Sequence, residues 1–107
     1  MLTAKRNRPG ENIDYLNTGV EALREGEVIA LGEDRIGIVG ATIEPNEVGA
    51  VWVEGVWIFP KAPGALSIGD SVSWTDGTGI AATGDTPVGW VVQPAAAGDA
   101  TVLVKLG

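Results

Sequence analysis

The sequence predicts an all-β fold, either a small closed barrel or a sandwich of short strands. Glycine contributes 16 of the 107 residues and proline 6, and they divide the apolar segments into short runs. Such punctuation is typical of strands joined by tight turns. The one segment with good helix propensity, residues 20–25, is too short for more than a single helical turn.

Eight segments are predicted as strands because apolar or alternating residues lie between turn signals. In chain order they are residues 13–16, 28–31, 35–43, 49–59, 71–75, 79–82, 88–93 and 101–106. The turn signals combine Gly, Asn, Asp and Pro, and they lie at residues 17–19, 32–34, 45–46, 76–77, 84–85 and 97–99. We therefore expect one β-barrel domain over residues 12–107, preceded by a flexible basic arm at residues 1–11.

An internal similarity divides this domain into two related halves. Residues 22–29 resemble residues 65–72, and each stretch is followed by a strand with a small Gly-containing apolar motif, at residues 35–39 and 87–91. Each half ends in a valine-rich strand. Two such halves would close a small pseudo-twofold barrel. The alternative is that an acidic residue after Gly, placed before a strand, is ordinary turn chemistry.

The predicted strand at residues 49–59 is apolar on both faces, so both faces must be covered. A chain of this size has little material to cover them, and a second subunit is the natural candidate. Trp52 and Trp57 are five residues apart, which in a regular strand places them on opposite faces. We therefore predict Trp57 and Phe59 as oligomer-interface residues, with Trp52 second.

The composition excludes most catalytic classes. The chain has no Cys and no His, which removes thiolate catalysis, the usual general base and the commonest metal ligands. No Gly-Lys pair exists to form a P-loop. The acidic pairs lie in turns without calcium-loop spacing, and we expect Asp70, Asp85 and Asp99 to bond nearby backbone amides. We predict no enzyme activity, no cofactor and no metal site.

The arm and the rest of the chain carry net charges of opposite sign. Residues 1–8 contain Lys5, Arg6 and Arg8 and no acid, whereas the remaining residues contain four bases and fourteen acids, a net charge of −10. An acidic body repels phosphates, so we expect no direct nucleic-acid binding by the folded part. The arm is either a solvated terminus, a contact with nucleic acid or an acidic protein surface, or a strand that adds to another sheet.

Targeting signals are also absent from the sequence pattern. No apolar run is long enough to span a membrane, and no apolar stretch follows the basic start as in a secretion signal. We therefore expect no membrane association, and a protein that stays in the compartment where it is made.

Four segments in consistent order resemble the small phage and prophage proteins described as capsid cement or head decoration proteins. They are Glu-Gly-Val-Trp-Ile-Phe-Pro-Lys at 54–61, Ile-Gly-Asp-Ser-Val-Ser-Trp at 68–74, Pro-Val-Gly-Trp at 87–90, and Gly-Asp-Ala-Thr-Val-Leu-Val-Lys-Leu at 98–106. Some relatives carry a RecA/RadA-type recombinase label, which this chain contradicts because it has no P-loop. The basic arm departs from the family pattern.

This resemblance implies a structural virion protein, made in the host cytoplasm, that binds the outside of an assembled capsid and stabilises it. It implies a homotrimer, with the major capsid protein as partner and no catalytic residues. Lys5, Arg6 and Arg8 are the candidate capsid-docking residues of the arm. The alternative is a carbohydrate- or small-ligand-binding β-barrel module that uses the tryptophans as a stacking platform, which requires Trp52, Trp57, Trp74 or Trp90 to line a groove.

Overall fold

The computed structural model describes residues 2–5 and 10–106, and the regular structure in this part of the chain is entirely β-strand. The all-β prediction is therefore confirmed, and the helical turn allowed at residues 20–25 does not form. The strands are β1 (Asn12–Leu16), β2 (Val28–Leu31), β3 (Arg35–Val39), β4 (Val48–Trp52), β5 (Gly55–Pro60), β6 (Ser71–Thr75), β7 (Gly79–Ala81), β8 (Thr86–Gln93) and β9 (Thr101–Leu106).

The strands form two antiparallel sheets. The first has the order β1-β4-β3-β2 and the second the order β5-β9-β8-β6-β7, and the sheets contact each other mainly between β3 and β8. A single bridge joins Ile80 of β7 to Lys61, just after β5. One bridge is not a ladder, so the described strands do not close into a barrel; of the two predicted forms, the closed barrel is wrong.

The predicted long strand at residues 49–59 is two strands that belong to different sheets. The chain leaves β4 after Trp52 and enters β5 at Gly55, whose φ of 107° is strained for any residue with a side chain. The intervening Val53 and Glu54 carry the chain from the first sheet to the second. An unbroken strand was therefore the wrong prediction for this segment.

The two halves of the domain share one topology, as the internal similarity predicts. The first sheet is reproduced in the second when β1, β4, β3 and β2 are matched to β5, β9, β8 and β6. The bridge from Leu23 to Ile43 has its counterpart between Leu66 and Ala95. The second half differs by one inserted strand, β7. It follows β6 and precedes β8 in sequence, and it pairs with the outer edge of β6 in the sheet.

Equivalent turns in the two halves are closed by carboxylates. In the second half, Asp70 accepts a 2.8 Å hydrogen bond from the Ser67 N–H, and Asp99 accepts one of the same length from the Ala96 N–H. Glu27 and Glu47 occupy the matching positions of the first half, with longer bonds. The predicted role of Asp70 and Asp99 is confirmed. The prediction is wrong for Asp85: within the described residues its carboxylate accepts no amide hydrogen bond, and its own backbone N–H donates to the Thr75 hydroxyl at 3.2 Å.

The core consists of one large cluster and one small cluster. The large cluster lies on the inner face of the second sheet and includes Phe59, Ile80, Val91 and Val104, joined by Ile36 and Ile38 of β3. The small cluster lies on the other face of the first sheet, where only Val39, Ile43 and Val51 are buried. Around those three, large apolar side chains remain half-buried: Ile13, Tyr15, Leu23, Ile29 and Leu31.

Candidate assembly surface

Strand β5 has one buried and one exposed side. Phe59 is 2 % exposed and Trp57 is half-buried, whereas the alternate residues Val56 and Ile58 are 56 % and 71 % exposed. This alternation follows from the two-residue period of a strand. Since the inner side packs on the large core cluster, β5 presents Val56 and Ile58 to the outside.

Strand pairing extends this exposed side across the sheet. Ile58 is opposite Leu103 of β9, and Trp90 of β8, 40 % exposed, lies two strands away from Val56 in the same row. Directly opposite residues share a face and lie about 5 Å apart. We call the surface formed by Val56, Ile58, Trp90 and Leu103 the outer apolar face. Exposed apolar surfaces of this kind are candidate interaction sites.

Lys105 lies within this surface. It is the residue between Val56 and Trp90 in their row, half-buried, and its Nζ donates to the Leu106 carbonyl at 3.3 Å. The aliphatic part of a lysine can cover apolar neighbours while its ammonium group stays polar. The outer apolar face therefore carries one positive charge near its centre.

The predicted interface residues lie mostly behind this face. Phe59 is buried in the core, with its ring centroid 6.0 Å from that of Trp74, so it offers no surface to a second subunit. The sequence is apolar on both sides of β5, and the exposed side belongs to Val56 and Ile58. These two residues and Leu103 were not predicted, because a strand that is apolar on both sides does not show in its sequence which side is covered.

Trp52 and Trp57 lie together rather than on opposite faces. Their ring centroids are 6.2 Å apart and tilted by 51°, because the change of sheet at Val53 and Glu54 folds one strand end back on the next. The Trp57 Nε1–H donates to the Glu54 carbonyl at 3.0 Å. The two rings line a groove of about 380 Å³ together with Glu11, Glu54, Gly55, Val56 and Lys105. This groove borders the outer apolar face at Val56 and Lys105.

The four tryptophans do not form a single stacking platform. Trp52 and Trp57 are in the groove, Trp90 is on the outer apolar face, and Trp74 packs against Phe59 and donates its Nε1–H to Asp76 at 2.8 Å. A carbohydrate site across all four is therefore not assembled. The groove could accommodate only a ligand that contacts two tilted, half-buried rings.

Two further features concern binding chemistry. Within residues 2–5 and 10–106, no three His, Cys, Asp or Glu side chains are grouped so that they could hold a metal ion. Of the arm residues predicted to dock on a capsid, Lys5 is exposed, and Arg6 and Arg8 lie outside the described residues. In the same described ranges, no helix is long and apolar enough to cross a membrane.

Comparison with known proteins gives one family. Residues 7–106 match the phage cement protein family, whereas no match was found among curated proteins or solved structures. The match covers both sheets and the crossing between them, and it agrees with the resemblance seen in the four sequence segments. The chain belongs to the phage cement protein family, whose members are structural, capsid-associated proteins of the virion.

Proposed function

We propose that this protein is made in the host cytoplasm, binds the outside of an assembled phage capsid and stabilises it as a homotrimer. The family match over residues 7–106 is the observation that carries the proposal. A protein that binds only the assembled shell stabilises it by mass action, because every bound copy must dissociate before the shell can come apart. No catalysis is needed for this role.

The outer apolar face is the surface that we assign to contact between copies. Val56, Ile58 and Leu103 form a compact group of aliphatic side chains, and Trp90 adds an aromatic side chain of the type enriched at interfaces. Burying them against a neighbour removes apolar area from water, which is the main driving force of such association. The predicted roles of Trp52 and Trp57 fit the rim of this face.

The first experiment tests the interface with two isoleucines. Ile58, on the outer apolar face, and Ile68, in the turn before β6, are 71 % and 65 % exposed, so Ile68→Lys is a matched control for Ile58→Lys. Light scattering after size exclusion should give a trimer for the wild type and Ile68→Lys, and a monomer for Ile58→Lys. A wild type that stays monomeric at high concentration would reject the trimer.

The second experiment tests the function itself. Purified protein is mixed with expanded empty capsids of its own phage, and the temperature at which the shells break is measured. We expect bound protein to raise that temperature, and Ile58→Lys to raise it less because single copies lose the gain from multivalent attachment. Capsids that neither bind the protein nor gain heat resistance would contradict the proposal. Contact of Lys5, Arg6 and Arg8 with the shell stays a prediction.

A further inference from the structure

The two halves of the fold differ at one sheet edge. In the second half, β7 pairs with the outer edge of β6 through Ser73–Ala81, Trp74–Ile80 and Thr75–Gly79. The counterpart of β6 in the first half is β2, which is the last strand of its sheet. Within the described residues nothing pairs with the outer edge of β2, so a row of backbone donors and acceptors is available there.

Strand β7 pairs with the edge of β6 and covers apolar side chains of the large core cluster in the second half. The Ile80 side chain is fully buried in the large core cluster, and its backbone bridges Lys61 beyond the end of β5. Over residues 10–53, the first half has no such strand. The equivalent position in the first half has Ala30 and Leu31 of β2 on one side. On its other side is Asn17, the residue after β1.

Side chains near the open position are less buried than their counterparts. Val72, Phe59 and Leu66 are buried in the second half, whereas the equivalent Ile29, Tyr15 and Leu23 are only half-buried in the first half. These equivalences follow from the strand register. Val39 is opposite Val51 in the first half, and the corresponding pair in the second half is Val91 opposite Val104. The first half therefore has the apolar lining of a β7 site without the strand that covers it.

We propose that residues 2–5 of a second copy add to the outer edge of β2 as the missing strand. These residues read Leu-Thr-Ala-Lys, and the four residues that begin at Ile80 of β7 read Ile-Ala-Ala-Thr. If Leu2 takes the place of Ile80, it lies opposite Leu31, and Thr3 lies opposite Ala30. Leu2 is fully exposed in the single chain, so covering it by a neighbour removes a large apolar side chain from water.

Charge favours the same placement. The arm carries three bases and no acid, whereas residues 11–53 contain nine acids and two bases, a net charge of −7. In the register given above, Lys5 lies opposite Val28 and beside Glu27, the exposed acid that precedes β2. A basic segment that adds to an acidic edge is steered there by the field of the whole half.

A second copy is the occupant that fits the geometry. The arm leads into β1, which is the opposite edge of the same sheet from β2, and residues 2–5 are exposed in the single chain. The contact joins an arm to an edge, so it is heterologous, and a heterologous contact can close a ring of three copies. Adding a strand to a sheet edge is a common mode of such recognition.

The absence of Cys from the chain allows a direct test by disulfide trapping, without any capsid present. A copy with Thr3→Cys and a size-shifting C-terminal tag is mixed with an untagged copy with Ala30→Cys, and the mixture is oxidised. Opposite residues in an antiparallel pair are close enough for a disulfide. The matched control is Ala50→Cys, an equally exposed alanine on the central strand β4, two strands away from the edge.

We expect a mixed dimer between the Thr3→Cys and Ala30→Cys copies, about tenfold more abundant than with Ala50→Cys because the strand holds the thiols at high effective concentration. Adding Leu2→Asp to the arm should abolish it, since a carboxylate cannot occupy an apolar site. A mixed dimer equal in amount with Ala50→Cys, or unaffected by Leu2→Asp, would overturn the proposal. A further variant carries both Thr3→Cys and Ala30→Cys in one chain, and a disulfide within its monomer would also overturn the proposal because it would assign the site to the chain's own arm.

Discussion

The first and second halves of this protein share a topology but differ in how completely each is packed. The second half places β7 over its open side and buries Phe59, Leu66 and Val72 in a large cluster. The first half leaves the equivalent side chains half-buried. The same arrangement of four strands therefore gives one half that is closed by its own chain and one that has apolar surface left for a partner.

At the end of their first strand, the two halves use different buried polar side chains to donate hydrogen bonds to loop carbonyls. Asn17 follows β1, and its Nδ2 donates to the Glu21 and Ile43 carbonyls at 2.8 and 2.9 Å. Lys61 follows β5, and its Nζ donates to the carbonyls of Ala62, Ala97 and Asp99 at 3.0 to 3.3 Å. Both side chains are buried. Each ties the end of an edge strand to carbonyls of loops that are distant in sequence, and the Ile43 and Ala97 carbonyls also accept from the backbone N–H groups of Leu23 and Gly64.

The largest difference between the halves should appear between an apolar side chain of β7 itself and one on the uncovered edge strand β2. Ile80→Ala should lower the free energy of unfolding by about 3 to 4 kcal/mol, because it leaves a cavity in a fully buried site. Leu31→Ala, at the half-buried equivalent of Trp74, should cost only about 1 kcal/mol. Urea unfolding of the dilute protein measures both.

The same pair of variants sharpens the comparison at high protein concentration. The arm of a second copy would then cover Leu31, and the cost of Leu31→Ala should rise. Equal costs for the two variants in the dilute protein would mean that the halves do not differ in packing.

A smaller effect is expected from the two buried polar side chains. Lys61→Met should cost about 2 to 3 kcal/mol because it removes a charged donor that bonds the carbonyls of Ala62, Ala97 and Asp99. Lys61→Asn should cost as much, since the shorter side chain of the first-half residue cannot reach Ala97 and Asp99. Thermal unfolding followed by circular dichroism would measure both. Full stability in Lys61→Asn would show that the two positions are interchangeable.

The smallest effect concerns the turns that carboxylates close. Asp70→Ala removes a 2.8 Å hydrogen bond from the Ser67 N–H and should cost about 1 kcal/mol. Glu27→Ala removes a 3.4 Å bond to the Arg24 N–H at the first of the matching turns and should cost a few tenths of a kcal/mol, about the error of the measurement. Urea titrations of the two variants side by side test the order, and a larger loss for Glu27→Ala would reverse it.

Local sequence signals predicted the strands well, because turn residues and apolar runs act over short distances. The prediction of one strand at residues 49–59 was wrong because nothing in Val53 and Glu54 indicates a change of sheet. Only Gly55 indicated a break in the strand. The internal similarity also predicted the shared topology. A repeat in sequence is visible without knowing which strands pair.

The assembly surface was harder to predict, because its residues depend on which side of β5 is covered. A strand that is apolar on both sides carries no signal for its phase, and a shift of one residue exchanges Phe59 for Ile58. The buried roles of Asn17 and Lys61 were not predicted either. They arise from loops that are distant in sequence, such as the carbonyls of Ala97 and Asp99, which only the folded chain brings near.

The inserted strand β7 also identifies a place where the architecture accepts additional residues. In the first half, the exposed turn at residues 32–34 joins β2 directly to β3, and at the equivalent point the second half holds the longer connection 76–85 that contains β7. Exposed loop tips are where insertions are best tolerated. We expect the turn at residues 32–34 to accept a foreign peptide without loss of the fold, which makes it the position of choice for displaying antigens on a phage head.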